Sequence, residues 1–377
     1  MTQTATLTLT GPYAATASQK GDTGFSYRKL SRWVNGATGF LAAFSIATHL
    51  PATDPDATAA EPAVASEAVT ASGRDPNFIA TPQNYVPQEF RLPQYGDPAI
   101  FVNFPACPNK PYMAYQADQE VVPASLTKVM TLYLVARAVH ENVLQPDSQI
   151  RITQTAVDQA RGLAFYKNGN GSMRMQVGDH YTLKILAQAA GASSEAVSTN
   201  ALAIAYGRAY SWQGSDAEIL TRFAGLMNAT AHDLGMGHTT YANPTGNYGN
   251  RSTVRDTNTL FHAFQNQMGD EMRMMLGNRS IDTGRLAGVK PASSRALNGM
   301  THINNEQINV RFAKTGALGG DYNEALTFII DDGSRATISM IGVHGASGPN
   351  ALNNRASAMR DIIEEVRGVD VQAFCHS

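Results

Sequence analysis

The sequence predicts an α+β fold, an antiparallel sheet flanked by helices and joined to an all-helical lobe, with a cleft between the two. Three observations predict it. Short apolar strand-like runs occur near residue 100 and again beyond residue 310. The stretch between them carries helical periodicity. Hydrophobic residues make up 43% and charged residues 16% of 377, a globular balance with enough apolar mass for a sizeable core.

The chain opens on a segment unsuited to that core. Residues 1–33 form a polar tail ending in a basic region (Arg28, Lys29, Arg32), and residues 34–50 carry no charge. This order reads as a signal peptide or a weak anchor. Asn35, Thr38, Ser45, Thr48 and His49 interrupt the run, which is short for a bilayer span. Ala57-Thr58-Ala59 offers small residues for cleavage. Residues 51–80 are an Ala/Pro-rich linker without large apolar side chains. The folded domain is expected over 81–377, in a protein exported to the periplasm or cell envelope, with at most a weak N-terminal membrane association.

Within the domain, Ala99–Asn103 and Tyr112–Gln116 read as strands separated by a turn-prone Pro-Ala-Cys-Pro-Asn. Ser125–His140 follows Pro123 and carries apolar residues on every side, the pattern of a buried helix. Further helices are expected over Thr182–Ala190, Thr199–Tyr206 and Ile219–Leu234, and His262 also falls on a helix. Strands return at Val310–Thr315, Leu326–Ile330 and Thr337–Val343, the last two joined by Asp331-Asp332-Gly333. A helix over about 353–366 closes the domain, and the few residues after it leave no room for a C-terminal anchor.

Bulk charge excludes some function classes. With 29 basic and 31 acidic residues intermixed, no uniform field draws a nucleic acid. The nine histidines are dispersed without an HExxH pattern, so neither a metal nor an organic cofactor is expected. Cys107 and Cys375 are the only cysteines, and in an exported protein they are candidates for a disulfide closing most of the domain.

Two short patterns carry chemistry. In Ser125-Leu126-Thr127-Lys128 the hydroxyl and the amine lie three residues apart and share a helical face. A serine alcohol needs a base, and an amine serves only when its pKa is lowered by burial or a second cation. Lys314-Thr315-Gly316, expected at a strand end, offers a cation and a hydroxyl to a carboxylate, with a glycine that admits a peptide close to the backbone. The Lys314 charge would also help keep Lys128 neutral.

Together these patterns resemble the penicillin-recognising serine enzymes. Tyr115 to Lys128, Tyr181-Thr182-Leu183, Leu226-Met227-Asn228, Leu234-Gly235-Met236, Asn243-Pro244-Thr245-Gly246 and Ser252 to Asp256 narrow the likeness to the D-alanyl-D-alanine carboxypeptidases, over about residues 85–366. The resemblance implies a five-stranded β-lactamase/transpeptidase-like fold and removal of the terminal D-Ala from peptidoglycan stem peptides without a cofactor. It also implies an acyl-enzyme on Ser125, Lys128 as base and Ser194 bridging the two. Lys314 and Thr315 would hold the substrate carboxylate beside Gly316, and the N–H groups of Ser125 and Ala317 would form an oxyanion hole. β-Lactam antibiotics would act as covalent inhibitors.

One motif departs from the family pattern. Ser194-Glu195-Ala196 has alanine where asparagine is expected, while a literal Ser198-Thr199-Asn200 lies one helical turn later and could return the Asn200 amide to the same face. The plainer alternative for 193–200 is a helix start capped by Ser194 or Glu195. It would make the protein a catalytically impaired peptidoglycan-binding homologue. A β-lactamase or esterase of the same fold is disfavoured because the text around Glu271 lacks a deacylation loop.

Overall fold

The computed structural model describes residues 85–87, 98–160, 175–278, 280–281, 292–293, 302–303, 306–307, 309–318, 321–329, 335–341 and 351–377. The expected tail, signal or anchor and linker of residues 1–80, and the turn at 331–333, lie outside the described residues. All described residues belong to one compact unit.

Five antiparallel strands form the main sheet: β1 (Ala99–Asn103), β2 (Pro111–Tyr115), and, after two short strands β3 (Gln149–Arg151) and β4 (His180–Thr182), β5 (Asn309–Leu318), β6 (Asp321–Ile329) and β7 (Arg335–Ile341). The order across the sheet is β2-β1-β7-β6-β5, so strands from both ends of the domain pair at its centre, with Ala99 opposite Ile341 and Asn103 opposite Thr337. Alternation along β1 divides two cores. Ala99 and Phe101 join the helical lobe's core, while Ile100 and Val102 pack with Ala358, Met359, Ile362 and Ile363 of α8 (Ala351–Arg367).

The helical lobe contains α1 (Thr127–His140), α2 (Gln154–Ala160), α3 (Leu183–Ala192), α4 (Ala196–Ala209), α5 (Asp216–Asp233), α6 (Val254–Gln267) and α7 (Gly269–Leu276). α1 is buried on nearly every face, touching α3, α4, α5, α6 and α7, and it is the axis of the lobe. Its Lys128 and Thr131 are fully buried polar residues, and each therefore needs an acceptor.

The structure corrects several expectations. A tight 3-10 turn over Ala124–Leu126 precedes α1, so Ser125 sits on that turn and not inside the helix. β5 runs on to Leu318, paired with Asp321, which places Lys314-Thr315-Gly316 in mid-strand. α4 begins at Ala196, three residues before the expected start, because the Glu195 carboxylate caps it by accepting the Val197 N–H at 3.0 Å. α2, only seven residues long, is too short to show a clear period.

The chain end is fastened to the sheet's β2 side. α9 (Val371–His376) carries Cys375, bonded to Cys107 with Cα atoms 5.7 Å apart. Lys110 Nζ donates to the Phe374 carbonyl at 2.7 Å and to Ser377 Oγ at 3.0 Å, while Phe104, Tyr112 and Phe374 pack as an aromatic trio. The bridge spans 268 positions of sequence, so Cys107→Ser with Cys375→Ser is expected to lower unfolding free energy by about 2–5 kcal/mol. A shift of the urea midpoint measures this, and an unchanged midpoint would show that the unfolded chain is not appreciably restricted by the bond.

Candidate active site

The site begins with backbone geometry. Pro123 fixes the entry to the 3-10 turn, and Ala124 takes a positive φ of 49°, turning the chain so that Ser125 sits at the surface end of α1 while Lys128 points inward. Ser125 is half-buried and Lys128 is fully buried. Lys128 Nζ lies 2.8 Å from Ser125 Oγ, within a hydrogen bond. The same nitrogen donates a short hydrogen bond to the backbone carbonyl of Thr245.

Burial sets the chemistry of this amine. Loss of water pushes the Lys128 pKa down from 10.5 to about 7, against an opposing pull from the Glu195 carboxylate. Desolvation is the leading cause that favours the neutral amine. Glu195 is itself held above the usual carboxylate range by burial, offset by the Val197 N–H and by Lys128.

β5 forms the opposite wall. Phe312 packs into the lobe's core, and two residues on, Lys314 Nζ crosses to donate to Ser194 Oγ at 2.9 Å and to the Thr315 carbonyl at 2.7 Å. Gly316, next on that face, leaves no room for a side chain, because a Cβ there would stand 2.9 Å from the Pro123 carbonyl oxygen and 3.1 Å from the Ser125 nitrogen. The strand edge and the serine turn are therefore in direct apposition. β5 is an outer strand of the sheet, so its backbone groups on the side away from β6 are not used by the ladder. Thr315 and Ala317 are partly exposed along it.

Not every residue singled out in the sequence converges on Ser125. Ser194, at a positive φ of 61° between α3 and α4, is engaged by Lys314 and not by the Ser125–Lys128 pair. Asn200 is turned the other way. Its amide is buried and donates to the Ala156 carbonyl of α2 at 3.0 Å, joining two helices. His140 and Glu271 pair with each other at 3.2 Å on the surface. His262 is buried on α6, its pKa pushed down to about 4 by burial.

Sequence reasoning missed the Thr245 carbonyl. Asn243-Pro244-Thr245-Gly246 was a marker of resemblance without a role, and a backbone oxygen leaves no residue-type signature. Gly246 is the detectable part: at φ +87° a Cβ would fall 1.9 Å from the Ala124 carbonyl oxygen, so only glycine fits.

The sequence profile of the D-alanyl-D-alanine carboxypeptidases matches residues 108–340, well over half of the chain. The chain belongs to this family. D-alanyl-D-alanine carboxypeptidases are serine hydrolases, and the match covers the serine turn, the 243–246 loop and the Lys-Thr-Gly strand. Similar solved structures include penicillin-binding protein 5 from Haemophilus influenzae, 18% identical over 75% of this chain and 72% of that one, with a TM-score of 0.59. The Streptomyces K15 DD-transpeptidase is 19% identical over 73% of this chain and 97% of its own, with a TM-score of 0.58. The carboxypeptidase DacD from Francisella tularensis is 18% identical over 76% and 72%, with a TM-score of 0.55. At such identities the likeness establishes the β-lactamase/transpeptidase-like fold. Among curated proteins none matches the sequence.

If neutral Lys128 takes the serine proton, the rate of acylation rises with pH through a midpoint near about 7, because the reactive form appears only as the ammonium loses its proton. Removing the Glu195 charge removes the attraction that favours the ammonium. Glu195→Gln is expected to move that midpoint to lower pH, read from the pH profile of kcat/KM. A midpoint that stays put or rises would contradict the electrostatic coupling.

Proposed function

We propose that this member of the family removes the terminal D-alanine from peptidoglycan stem peptides ending in D-Ala-D-Ala, with Ser125 as nucleophile and Lys128 as its base. The observation that supports this most directly is the 2.8 Å contact between Ser125 Oγ and a buried amine whose pKa is pushed down to about 7. With Lys128 neutral, that contact runs from the serine hydroxyl to the amine lone pair. Ser125 Oγ attacks the carbonyl carbon of the penultimate residue as its proton passes to Lys128. The resulting oxyanion faces the N–H groups of Ser125 and Ala317. The C–N bond then breaks, the leaving D-alanine amine takes the proton, and an ester joins the stem to Ser125. Water attacks that ester with Lys128 again accepting a proton, releasing the shortened stem and restoring the serine.

Lys314 and Thr315 would bind the terminal carboxylate, with Gly316 admitting the peptide against the strand edge. Ser194, hydrogen-bonded to Lys314, would hold that ammonium in the cleft and relay charge between the two lysines. Export to the cell envelope follows from the basic and then uncharged order of residues 28–50 and from the substrate. No helix among the described residues is long and apolar enough to cross a membrane.

A second reading has one specific observation in its favour. Ala196 supplies no side-chain amide, as expected of a homologue that binds stems without turning them over. A fluorescent penicillin separates the two. The expected outcome is labelling of the wild type, with a penicilloyl mass on the peptide containing Ser125, and none in Ser125→Ala. D-Alanine release from a D-Ala-D-Ala peptide is expected to fall by a factor of about 10³ or more in Lys128→Ala. A wild type that neither labels nor releases D-alanine would establish the binder. Rapid nitrocefin turnover would instead identify a β-lactamase.

A further inference from the structure

In the described structure Lys128 makes two hydrogen bonds, to the nucleophile and to the Thr245 backbone carbonyl. That second acceptor matters here because position 196 has no amide to offer. What fixes the Thr245 oxygen is a loop, residues 242–250, organised by two asparagines. The Asn243 side-chain oxygen accepts from the N–H groups of Thr245, Gly246 and Asn247 at 3.0–3.2 Å and from Thr245 Oγ1 at 3.1 Å, which sets the plane of the peptide carrying the Thr245 carbonyl.

Asn250 holds Asn243 in turn. Fully buried, it accepts from the Ala242 and Asn243 N–H groups at 2.7 and 3.2 Å and from the Asn243 amide at 3.3 Å, and it donates to the Asn243 carbonyl at 3.2 Å. Its remaining side-chain hydrogen bond leaves the loop: Asn250 Nδ2 donates to Thr127 Oγ1 at 3.0 Å. Thr127 is the first residue of α1 and the neighbour of Lys128. One turn further along, Thr131 Oγ1 donates to the Pro244 carbonyl at 2.8 Å. The loop and the start of α1 are thus stitched together on either side of the Lys128 amine.

We propose that Asn250 is a positioning residue for acyl transfer: by tying the 242–250 loop to Thr127 it keeps the Thr245 carbonyl on Lys128, and so keeps the amine directed at Ser125. The inference rests on Ser125 and Lys128 being nucleophile and base. Asn250 touches neither substrate nor the reacting atoms, and its effect passes through the backbone oxygen. Such a residue changes the chemical step more than binding, because the carboxylate-binding strand stands on the opposite wall.

The test is stopped-flow acylation by a fluorescent penicillin, which separates the dissociation constant from the acylation rate constant, alongside thermal melting. Asn250→Ala is expected to slow the acylation step about tenfold or more while changing the dissociation constant by less than about threefold. Thr127→Val removes the same link from the helix side with little change of shape. It should give a comparable loss, and the double variant should be scarcely slower than either single one. Asn228→Ala is the control, since Asn228 clamps Tyr241 at the start of the same region through bonds of 2.7 and 2.9 Å without reaching α1. It is expected to lower the melting temperature and leave acylation within about twofold.

Acylation by Asn250→Ala at nearly the wild-type rate overturns the proposal. Equal slowing by Asn228→Ala overturns it as well, because the effect would then be general loosening of the region. If Asn250→Ala does not fold, Thr127→Val decides. A wild type that is not labelled at all gives a different signature, removing the assignment of Ser125 and Lys128 and this inference with it.

Discussion

An ammonium group buried at the start of a central helix is the constraint on which this structure turns. α1 serves as the axis of the helical lobe because almost every position on it is buried, and one of those positions is Lys128. A charged amine in such surroundings costs several kcal/mol unless acceptors reach it or its proton leaves. The fold uses both remedies, supplying one backbone carbonyl and one hydroxyl while burial lowers the pKa. What would be a packing defect in an ordinary core is here an amine held 2.8 Å from a serine hydroxyl.

A second buried lysine makes the arrangement asymmetric. Lys314 is as deeply enclosed as Lys128, but it meets a serine hydroxyl and the carbonyl of its own neighbour, and it approaches from a strand at the sheet's edge. The turn between α3 and α4 addresses both amines, with Ser194 bound to one and the Glu195 charge acting on the other. Successive residues of one strained turn therefore address different lysines. The positive φ of Ser194 helps explain how adjacent side chains can diverge in this way.

Much of the fold was readable from residue patterns, because strands such as β1 and helices such as α1 are fixed by burial that the sequence records as apolar runs. The Ser125–Lys128 pair was readable from its three-residue spacing, which brings two side chains to one face in the 3-10 turn that carries Ser125 as it does in an α-helix. Contacts whose partners are far apart in sequence were not. The course of β5 beyond Thr315 depends on its pairing with β6, and nothing local to Ser194 says that Lys314 will reach its hydroxyl. Asn200 shows how far position within a motif can mislead. One helical turn from Ala196 it should share a face, yet its amide is taken by the carbonyl of Ala156 on α2, a helix too short to announce itself. Backbone acceptors such as the Thr245 oxygen are invisible at the level of residue identity.

Cys107 and Cys375 lie close to the two ends of the folded unit, and their sulfurs are joined. Every loop around the cleft falls inside the covalent ring so formed. A protease that cut any one of them once would open the ring without releasing a fragment, and the two pieces would stay attached until a reductant separated them. A chain closed this way can be nicked and still travel as one molecule.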